Sequence, residues 1–450
     1  MSPTEPGGDP TGTPGLEPST TPALHPDRRQ ARMYLELIGI GAAIGIPAAV
    51  LAKLFLAVVH WAETWLWTDL PDALGESSPP WYLVLGLPVA GAGLVAVARA
   101  FLPGDGGHSP LHGLGGPPTP WQYGPSVLLA AFGTLAFGAV LGPEAPLIAL
   151  GSVVGMAAAS WAKPGPQGEQ VLATAGSFSA VSALFGGPLV AGILLLEAGL
   201  AAGAALLPAL LPGLVAAAVG YVVFIGLGDW GGLDSTSLVV PDLPAYDTTS
   251  VPDLLMAIVV GVLTALLIGS VKRFAHRVDD VAVLSPRNRY GVLLAGGLVI
   301  GLITLVAQAL GAGYDDVLFS GQSAIPQELA ENSAGVLLVI LVAKALAYAI
   351  CLGCGFRGGP VFPAVFLGVG LATFACIWFD TSITWALAVG AAAGMTAGTG
   401  LVFSGLVLSL LLVGVNGLDA LPAAVLAVVA AWLTNSALER RAAAGQEAGT

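Results

Sequence analysis

Charged side chains are scarce in this sequence, because Asp, Glu, Lys and Arg make up only 10% of its 450 residues. Soluble proteins average about 25% charged residues, so the composition excludes an ordinary soluble domain. The 15 Lys and Arg form no basic stripe, which argues against nucleic acid as a partner. There are only three cysteines; Cys351 and Cys354 form a Cys-x-x-Cys pair without a second pair or a βαβ setting, so we interpret them as packing residues.

Long apolar segments dominate the chain instead. Hydrophobic residues make up 56% of it and the mean hydropathy is +0.85, which is typical of a bundle of membrane-spanning helices. The 62 glycines suit the close approach of such helices. Several apolar segments are interrupted by glycine and are shorter than the roughly 20 residues that a span needs. We therefore predict an all-α integral membrane protein with tilted and discontinuous helices.

The distribution of basic residues orients the chain in the membrane. Three arginines precede the first apolar segment and two follow the last, so both termini are predicted to be cytoplasmic. The polar stretch 228–252 contains neither Lys nor Arg, and it divides the chain into halves that enter the membrane from opposite sides. The predicted order is a disordered N-terminal tail (1–33), a first repeat (34–227), an extracellular linker (228–252), an inverted second repeat (253–438) and a short C-terminal tail (439–450).

One ten-residue phrase occurs twice, once in each half. Residues 142–151 read GPEAPLIALG and residues 359–368 read GPVFPAVFLG, so Gly, Pro, Pro, Leu and Gly recur at the same relative positions. Each copy interrupts one apolar stretch and begins another. A helix that is broken in this way leaves backbone N–H groups free at the start of its second piece, and these are tolerated only where something polar meets them. Matching breaks in two inverted halves predict a binding site near mid-membrane.

The chemistry of these two helix starts favours a negatively charged ligand. Pro146 and Pro363 suit a first helical turn, where the missing N–H costs nothing, and the helix dipole adds partial positive charge. Two converging starts would hold a dehydrated anion without a full cation, and weakly enough to release it. Glu144, in the first copy only, is a tethered anion at the same place. Ionised, it would block the site, and protonated or displaced it would open the path; the alternative is a Glu that merely complements the dipole.

These motifs resemble the CLC family of voltage-gated chloride channels and proton-coupled chloride exchangers. The family's Gly-Arg-Glu-Gly-Pro matches residues 142–146, and its Gly-x-Phe-x-Pro matches residues 359–363. Its Gly-Ser-Gly-Ile-Pro matches residues 106–110 poorly, and residues 188–197 resemble its segment that ends in paired acids. The resemblance covers about residues 34–438, and it is most specific in the order and spacing of all four motifs.

The resemblance implies a fold, an assembly and a set of site residues. It implies an inverted-repeat α-helical membrane fold, a homodimer with one ion path per subunit, and Glu144 as the gating glutamate. Glu197 matches the first of the family's paired acids and is the second candidate for gating or proton transfer. The candidate anion contacts are backbone positions at the breaks and in a third, hydroxyl-bearing loop: Gly107, Ser109, Pro110, Gly142, Ala145, Gly359, Val361 and Phe362. No metal, cofactor or enzyme activity is expected.

Departures from the family pattern bear on mechanism. Pro143 replaces the family's Arg, and Pro360 removes an amide that would contact the anion. Gly107 stands at the serine position, with a hydroxyl two residues on at Ser109. The second of the paired acids, the inner proton relay of exchangers, is Ala198 here, and the inner-gate Tyr has no evident counterpart. These differences favour passive or loosely coupled anion conduction over strict exchange.

Other functions and roles stay open at this point. A strict proton-coupled chloride antiporter is the main alternative. An inverted-repeat transporter for another solute would need several acids near mid-membrane. An intramembrane enzyme would need a catalytic pair of residues, which the spans lack. Glu197 either lines a water path or caps a helix end. Lys344 either raises the anion potential or forms a structural pair, and Arg357 either steers anions or binds helix C-terminal carbonyls. The expected partners are chloride or another small anion, protons in the coupled alternative, and membrane lipid.

Overall fold

The computed structural model describes residues 28–114, 116–199, 207–229, 238–283 and 286–447. Over these ranges the regular elements are helices, apart from one isolated antiparallel bridge between Gly142 and Gly359. Nine helical spans in this part of the chain are long and apolar enough to cross a membrane. The predicted all-α, multi-pass membrane architecture is confirmed.

The helices of the first half lie on either side of the first break. They are α1 (Arg28–Thr64), α2 (Leu70–Ala73), α3 (Trp81–Phe101), α4 (Gly124–Leu135), α5 (Glu144–Ala162), α6 (Gly165–Leu184), α7 (Pro188–Ala198) and α8 (Leu207–Asp229). The helices of the second half are α9 (Val251–Val283), α10 (Pro286–Ala309), α11 (Tyr314–Val317), α12 (Ile325–Ala330), α13 (Ala334–Cys354), α14 (Val361–Phe379), α15 (Ile383–Thr399), α16 (Val402–Val413) and α17 (Leu421–Glu447). In each half, one helix begins directly at the Gly-Pro break: α5 in the first and α14 in the second.

Helices extend past the predicted repeat boundaries at both ends of the chain. The first helix begins at Arg28, so the predicted boundary at residue 33 falls within a helix, and residues 1–27 lie outside the described ranges. The last helix continues to Glu447, through most of the predicted C-terminal tail. In the predicted linker, Val240 and Tyr246 donate backbone hydrogen bonds to carbonyls near the end of α16, so residues 238–250 pack onto the second half.

The last glycine of each repeated phrase explains how the broken helices are held. A Cβ on Gly151 would collide with the backbone of Gly176 on α6, and a Cβ on Gly368 would collide with the backbone of Gly390 on α15. Small residues at these crossings let the backbones touch, which is how helices pack tightly in lipid. The helix that begins at each break is therefore fixed against the helix that follows it.

Candidate functional site

The two breaks lie against each other in the interior. The N–H of Gly142 donates to the carbonyl of Gly359 at 2.8 Å, and the N–H of Gly359 donates to the carbonyl of Gly142 at 2.6 Å. This pair forms the antiparallel bridge, and it places the first turns of α5 and α14 side by side. The predicted convergence of the two helix starts is confirmed. The bridge joins residues 217 positions apart in the sequence, one from each half.

Glu144, the first residue of α5, occupies the start of α14. Its side chain is completely buried, and its Oε1 accepts hydrogen bonds from the N–H groups of Val361 at 2.6 Å and Phe362 at 3.4 Å. The 3.4 Å bond is long, so Val361 makes the main contact. The other oxygen, Oε2, has no hydrogen-bond partner among the described residues. The carboxylate is therefore held by backbone amides through one oxygen only.

The surroundings of this carboxylate are aromatic and apolar. The ring of Phe362 stacks on Phe185 with a centroid distance of 5.8 Å and an interplanar angle of 12°. The hydroxyl of Tyr348 donates to the carbonyl of Pro360 at 2.9 Å, and the sulfur of Cys351 accepts from the N–H of Val140 at 3.1 Å. The ion pairs seen in the described ranges involve other acids, so no full cation reaches this carboxylate there.

The residues before and after Glu144 border different cavities. A cavity of about 420 Å³, here called the Pro143 cavity, is lined by Pro143 and by polar groups of α1 and of the loop before α12. On the other side Ala145 borders a cavity of about 450 Å³, the Ala145 cavity, and also a narrow gap of about 10 Å³. The narrow gap has room for about one water molecule. Glu144 itself lines none of these spaces, and its two neighbours in the chain border different ones.

The structure brings together five of the eight candidate anion contacts, and the N–H groups of two of the five bind other backbone groups. Val361 and Phe362 present their amides to the carboxylate, and Ala145 adjoins it. The N–H groups of Gly142 and Gly359 bind each other's carbonyls and hold the frame of the site, and their predicted role as anion ligands stays a prediction.

The third predicted loop meets the site only in part. Gly107 lines the narrow gap together with Ala145, whereas Ser109 and Pro110 are not among its lining residues. Ser109 precedes a single 3₁₀ turn, Pro110–His112, and its predicted ligand role, like that of Pro110, stays a prediction. The loop is anchored by Ser126, whose hydroxyl accepts from the N–H of Gly106 at 2.8 Å, a contact that no sequence signal indicated.

The second candidate acid, Glu197, caps a helix. Its carboxylate accepts from the N–H groups of Val402 at 2.7 Å, Phe403 at 3.0 Å and Ser404 at 2.8 Å. The hydroxyl of Ser404 donates to it at 2.7 Å as well. These contacts satisfy the free amides of the first turn of α16 and place a negative charge at the positive end of its dipole. The geometry favours the capping alternative, and the proton role of Glu197 stays a prediction.

Three arginines converge on Asp105 beside the narrow gap. Arg357, which lines that gap, donates to Asp105 Oδ2 at 2.6 Å, Arg99 Nε donates to Oδ1 at 3.0 Å, and Arg289 makes a third contact. Burial acts to raise the pKa of the Asp105 carboxyl, but the hydrogen bond from Arg99 and the three guanidinium charges outweigh it and hold the pKa below its ordinary value. Three positive charges on one carboxylate leave a net positive potential at the gap.

The sequence reasoning missed one buried acid in the second half. Glu328 on α12 is fully buried, and neither of its carboxylate oxygens has a hydrogen-bond partner among the described residues. The fully buried Lys344 on α13 donates to the carbonyl of Leu318 at 2.7 Å and lies 4.6 Å from the ring centroid of Phe366. Within the described ranges, Glu144 and Glu328 are the only buried acids.

Comparison with known proteins gives a family for this arrangement. A family model described as "Voltage gated chloride channel" matches residues 107–435. A protein of Escherichia fergusonii that carries the name ion-transport protein YfeO is 27% identical over 359 residues, which are 76% of this chain and 79% of that protein. A protein of the same name from Escherichia coli is 26% identical over a stretch of the same length.

Solved structures share the fold at low identity. A slow cyanobacterial Cl⁻/H⁺ antiporter has a TM-score of 0.72 and 19% identity, covering 92% of this chain and 96% of its own. A CLC-type fluoride/proton antiporter has a TM-score of 0.70 and 20% identity, covering 92% and 98%. These similarities establish the fold, and the roles of individual residues must be argued from the site itself.

Proposed function

The chain belongs to the voltage-gated chloride channel family, and from that premise we propose that it carries chloride or another small anion across a membrane along a path that Glu144 closes. One observation carries the proposal: a buried carboxylate sits on the free amides of Val361 and Phe362, and its two neighbours in the chain border different cavities. The carboxylate stands in for the transported anion, because both are bound by helix N-terminal amides.

The gate works by competition for these amides. While ionised Glu144 is seated, the amides are occupied, and the gap on the Ala145 side has room for only about one water molecule. Protonation weakens the carboxylate as an acceptor, and displacement removes it, so either event frees the amides for an anion. The unpartnered Oε2 makes the seated state less favourable, because an unsatisfied buried oxygen costs about 1–3 kcal/mol.

Weak binding allows the anion to leave. The helix terminus supplies partial charge and hydrogen bonds, which favour an anion by roughly 0.3–2 kcal/mol, and no lysine or arginine adds a full charge at the amides among the described residues. The net positive cluster around Asp105 instead lies at the gap, where it would attract anions toward the site without holding them at its centre.

The basic loops assign the two sides of the path. Arg289 lies at the start of α10, beside the basic stretch that follows the span of α9, so the Asp105 cluster and the Ala145 side face the cytoplasm. The Pro143 cavity then opens outward, and both termini are cytoplasmic in the cell membrane. By family resemblance, the working unit is a homodimer with one path per subunit.

Proton coupling is the finer question within this function. The family's inner relay position is Ala198, and Glu197 is engaged as a helix cap, which favours passive or loosely coupled conduction. Strict proton-coupled antiport remains the alternative, and a proton would then reach Glu144 through water. Transport of another solute is disfavoured, since the described ranges contain only two buried acids.

Reconstituted liposomes test the gate directly. Anion efflux and proton uptake are followed together between pH 4.5 and 7.5 for the wild type, Glu144→Gln and Glu144→Ala, with the exposed Glu76→Gln as control. We expect the wild-type flux to rise toward acid pH, both Glu144 variants to lose that dependence, and the control to keep it. Unchanged pH dependence in both Glu144 variants would remove the gating assignment, and a fixed proton-to-anion ratio in the wild type would establish exchange.

A further inference from the structure

Tyr348 is linked to the anion site through a single peptide group. This tyrosine on α13 is 1% exposed, and its hydroxyl donates to the carbonyl oxygen of Pro360 at 2.9 Å. The carbonyl of Pro360 and the N–H of Val361 belong to the same peptide group. That N–H donates to Glu144 Oε1 at 2.6 Å. A continuous chain of two hydrogen bonds therefore runs from the phenol, across the peptide, to the carboxylate.

Hydrogen bonds that are connected through a peptide group strengthen each other. A donor at the carbonyl oxygen draws electron density away from the nitrogen, so the N–H becomes a better donor, by about 10–30% per bond. The peptide group is planar, so anchoring its oxygen also fixes the direction of its N–H. Tyr348 therefore acts on both the strength and the aim of the Val361 amide.

This chain has a particular need for a strong amide at that position. Proline has no N–H, so Pro360 cannot donate to an anion at the start of α14. Phe362 contributes only the long bond at 3.4 Å. The Val361 amide is left as the principal donor, and its partner at the opposite end of the peptide group is a hydroxyl rather than an apolar side chain.

We propose that Tyr348 is a positioning residue that sets the affinity of the site for anions by orienting and polarising the Val361 amide. The inference rests on the proposed function, since it assumes that this amide binds the transported anion. The alternative is a purely structural role, in which the buried hydroxyl of Tyr348 only needs a hydrogen-bond acceptor, as buried tyrosines do in general. The two accounts differ in what happens to anion binding when only the hydroxyl is removed.

The role of the Val361 amide can be tested by measuring chloride binding in a variant that lacks the Glu144 carboxylate. Glu144→Ala frees the site, and its chloride Kd is measured by isothermal titration calorimetry in detergent, alone and combined with Tyr348→Phe. Ser409→Ala is the matched control, because Ser409 is also 1% exposed and its hydroxyl donates to the carbonyl of Ala388 at 2.8 Å, away from the breaks. We expect Tyr348→Phe to raise the chloride Kd about two- to fivefold and Ser409→Ala to leave it unchanged.

Two further measurements keep the result decisive. Incorporation of 3,5-difluorotyrosine at position 348 makes the phenol a stronger donor at nearly constant shape, so it should lower the Kd even if Tyr348→Phe folds poorly. In the protein that retains Glu144, Tyr348→Phe should move the midpoint of flux against pH upward by about 0.3–0.7 units, because the ionised carboxylate is held less well.

Each outcome has a defined meaning. An unchanged Kd in both Tyr348 variants, or an equal rise with Ser409→Ala, would overturn the role of Tyr348 and leave the proposed function standing. If Glu144→Ala alone bound no chloride, bromide or fluoride, the proposed function would fail, and this inference would fail with it.

Discussion

Replacing Glu197 by Ala should destabilise the protein by removing the cap of α16. Three backbone amides and the Ser404 hydroxyl would lose their acceptor. An N-cap contributes about 0.5–2 kcal/mol, and hydrogen bonds to a charged group contribute about 1.5–3 kcal/mol. Because Glu197 is half-buried, the lower values apply, and we expect a total loss of about 2–3 kcal/mol. Unfolding entropy of about 2.1 cal/mol/K per residue, taken over a chain of this length, converts this into a fall of about 2–3 °C in Tm.

The assay follows thermal unfolding in detergent, with Glu197→Gln and the exposed Glu76→Ala alongside. The Gln variant keeps one acceptor oxygen and should lose less stability than the Ala variant, and the control should lose none. Anion flux per folded molecule should be unchanged in Glu197→Gln. If Glu197→Gln kept its full Tm but lost proton-coupled flux, the capping account would be refuted and the proton-relay role predicted from the sequence would be restored.

Three further predictions concern the frame of the site. Asp105→Asn should lower the Tm at pH 7 by releasing Arg357. The pKa of the Asp105 carboxyl is lower in the folded protein than in the unfolded chain. Its contribution to stability is therefore fully present above the unfolded pKa of about 3.9 and is lost as the pH falls through the folded pKa. The difference in Tm between Asp105→Asn and the wild type should accordingly shrink in thermal scans at acid pH. Gly368→Ala should cost about 1–3 kcal/mol in thermal or chemical unfolding through its clash with the α15 backbone, whereas Gly93→Ala, which meets nothing, should be tolerated. Glu328→Gln should leave the Tm at pH 7 nearly unchanged, because a side chain of the same shape replaces a carboxyl that has no hydrogen-bond partner among the described residues; a fall of several degrees would show that the carboxylate charge supports Lys344.

The repeated phrase predicted the centre of the site because its physics is local. Gly and Pro inside apolar runs must break a helix, and free amides in a membrane must meet a ligand, so the two breaks and a site near them could be predicted from the sequence. The amides of Val361 and Phe362 were named through the family resemblance. Local sequence patterns could not show that the N–H groups of Gly142 and Gly359 would bind each other's carbonyls. That pairing depends on how two distant halves come together.

Other contacts of the site also depend on packing between distant parts of the chain. Glu197 meets Val402, a residue 205 positions away, and Arg357 meets Asp105 at a separation of 252. The sequence shows that such residues are polar, but it does not show which residues they contact in the fold. Glu328 lies in a short helix between spans, where hydropathy predicts exposure, yet tertiary packing buries it completely. The helical ends before residue 34 and after residue 438 are polar or alanine-rich, so they carry no apolar signal in the sequence.

The central claim is that a transported anion and the Glu144 carboxylate compete for the same amides. Crystals of the Glu144→Ala variant soaked in bromide test it most directly, by anomalous scattering. The account predicts a bromide peak in hydrogen-bonding contact with the nitrogens of Val361 and Phe362, in the space that the carboxylate vacates. A bromide bound elsewhere along the path, with that space filled by protein or water alone, would contradict it.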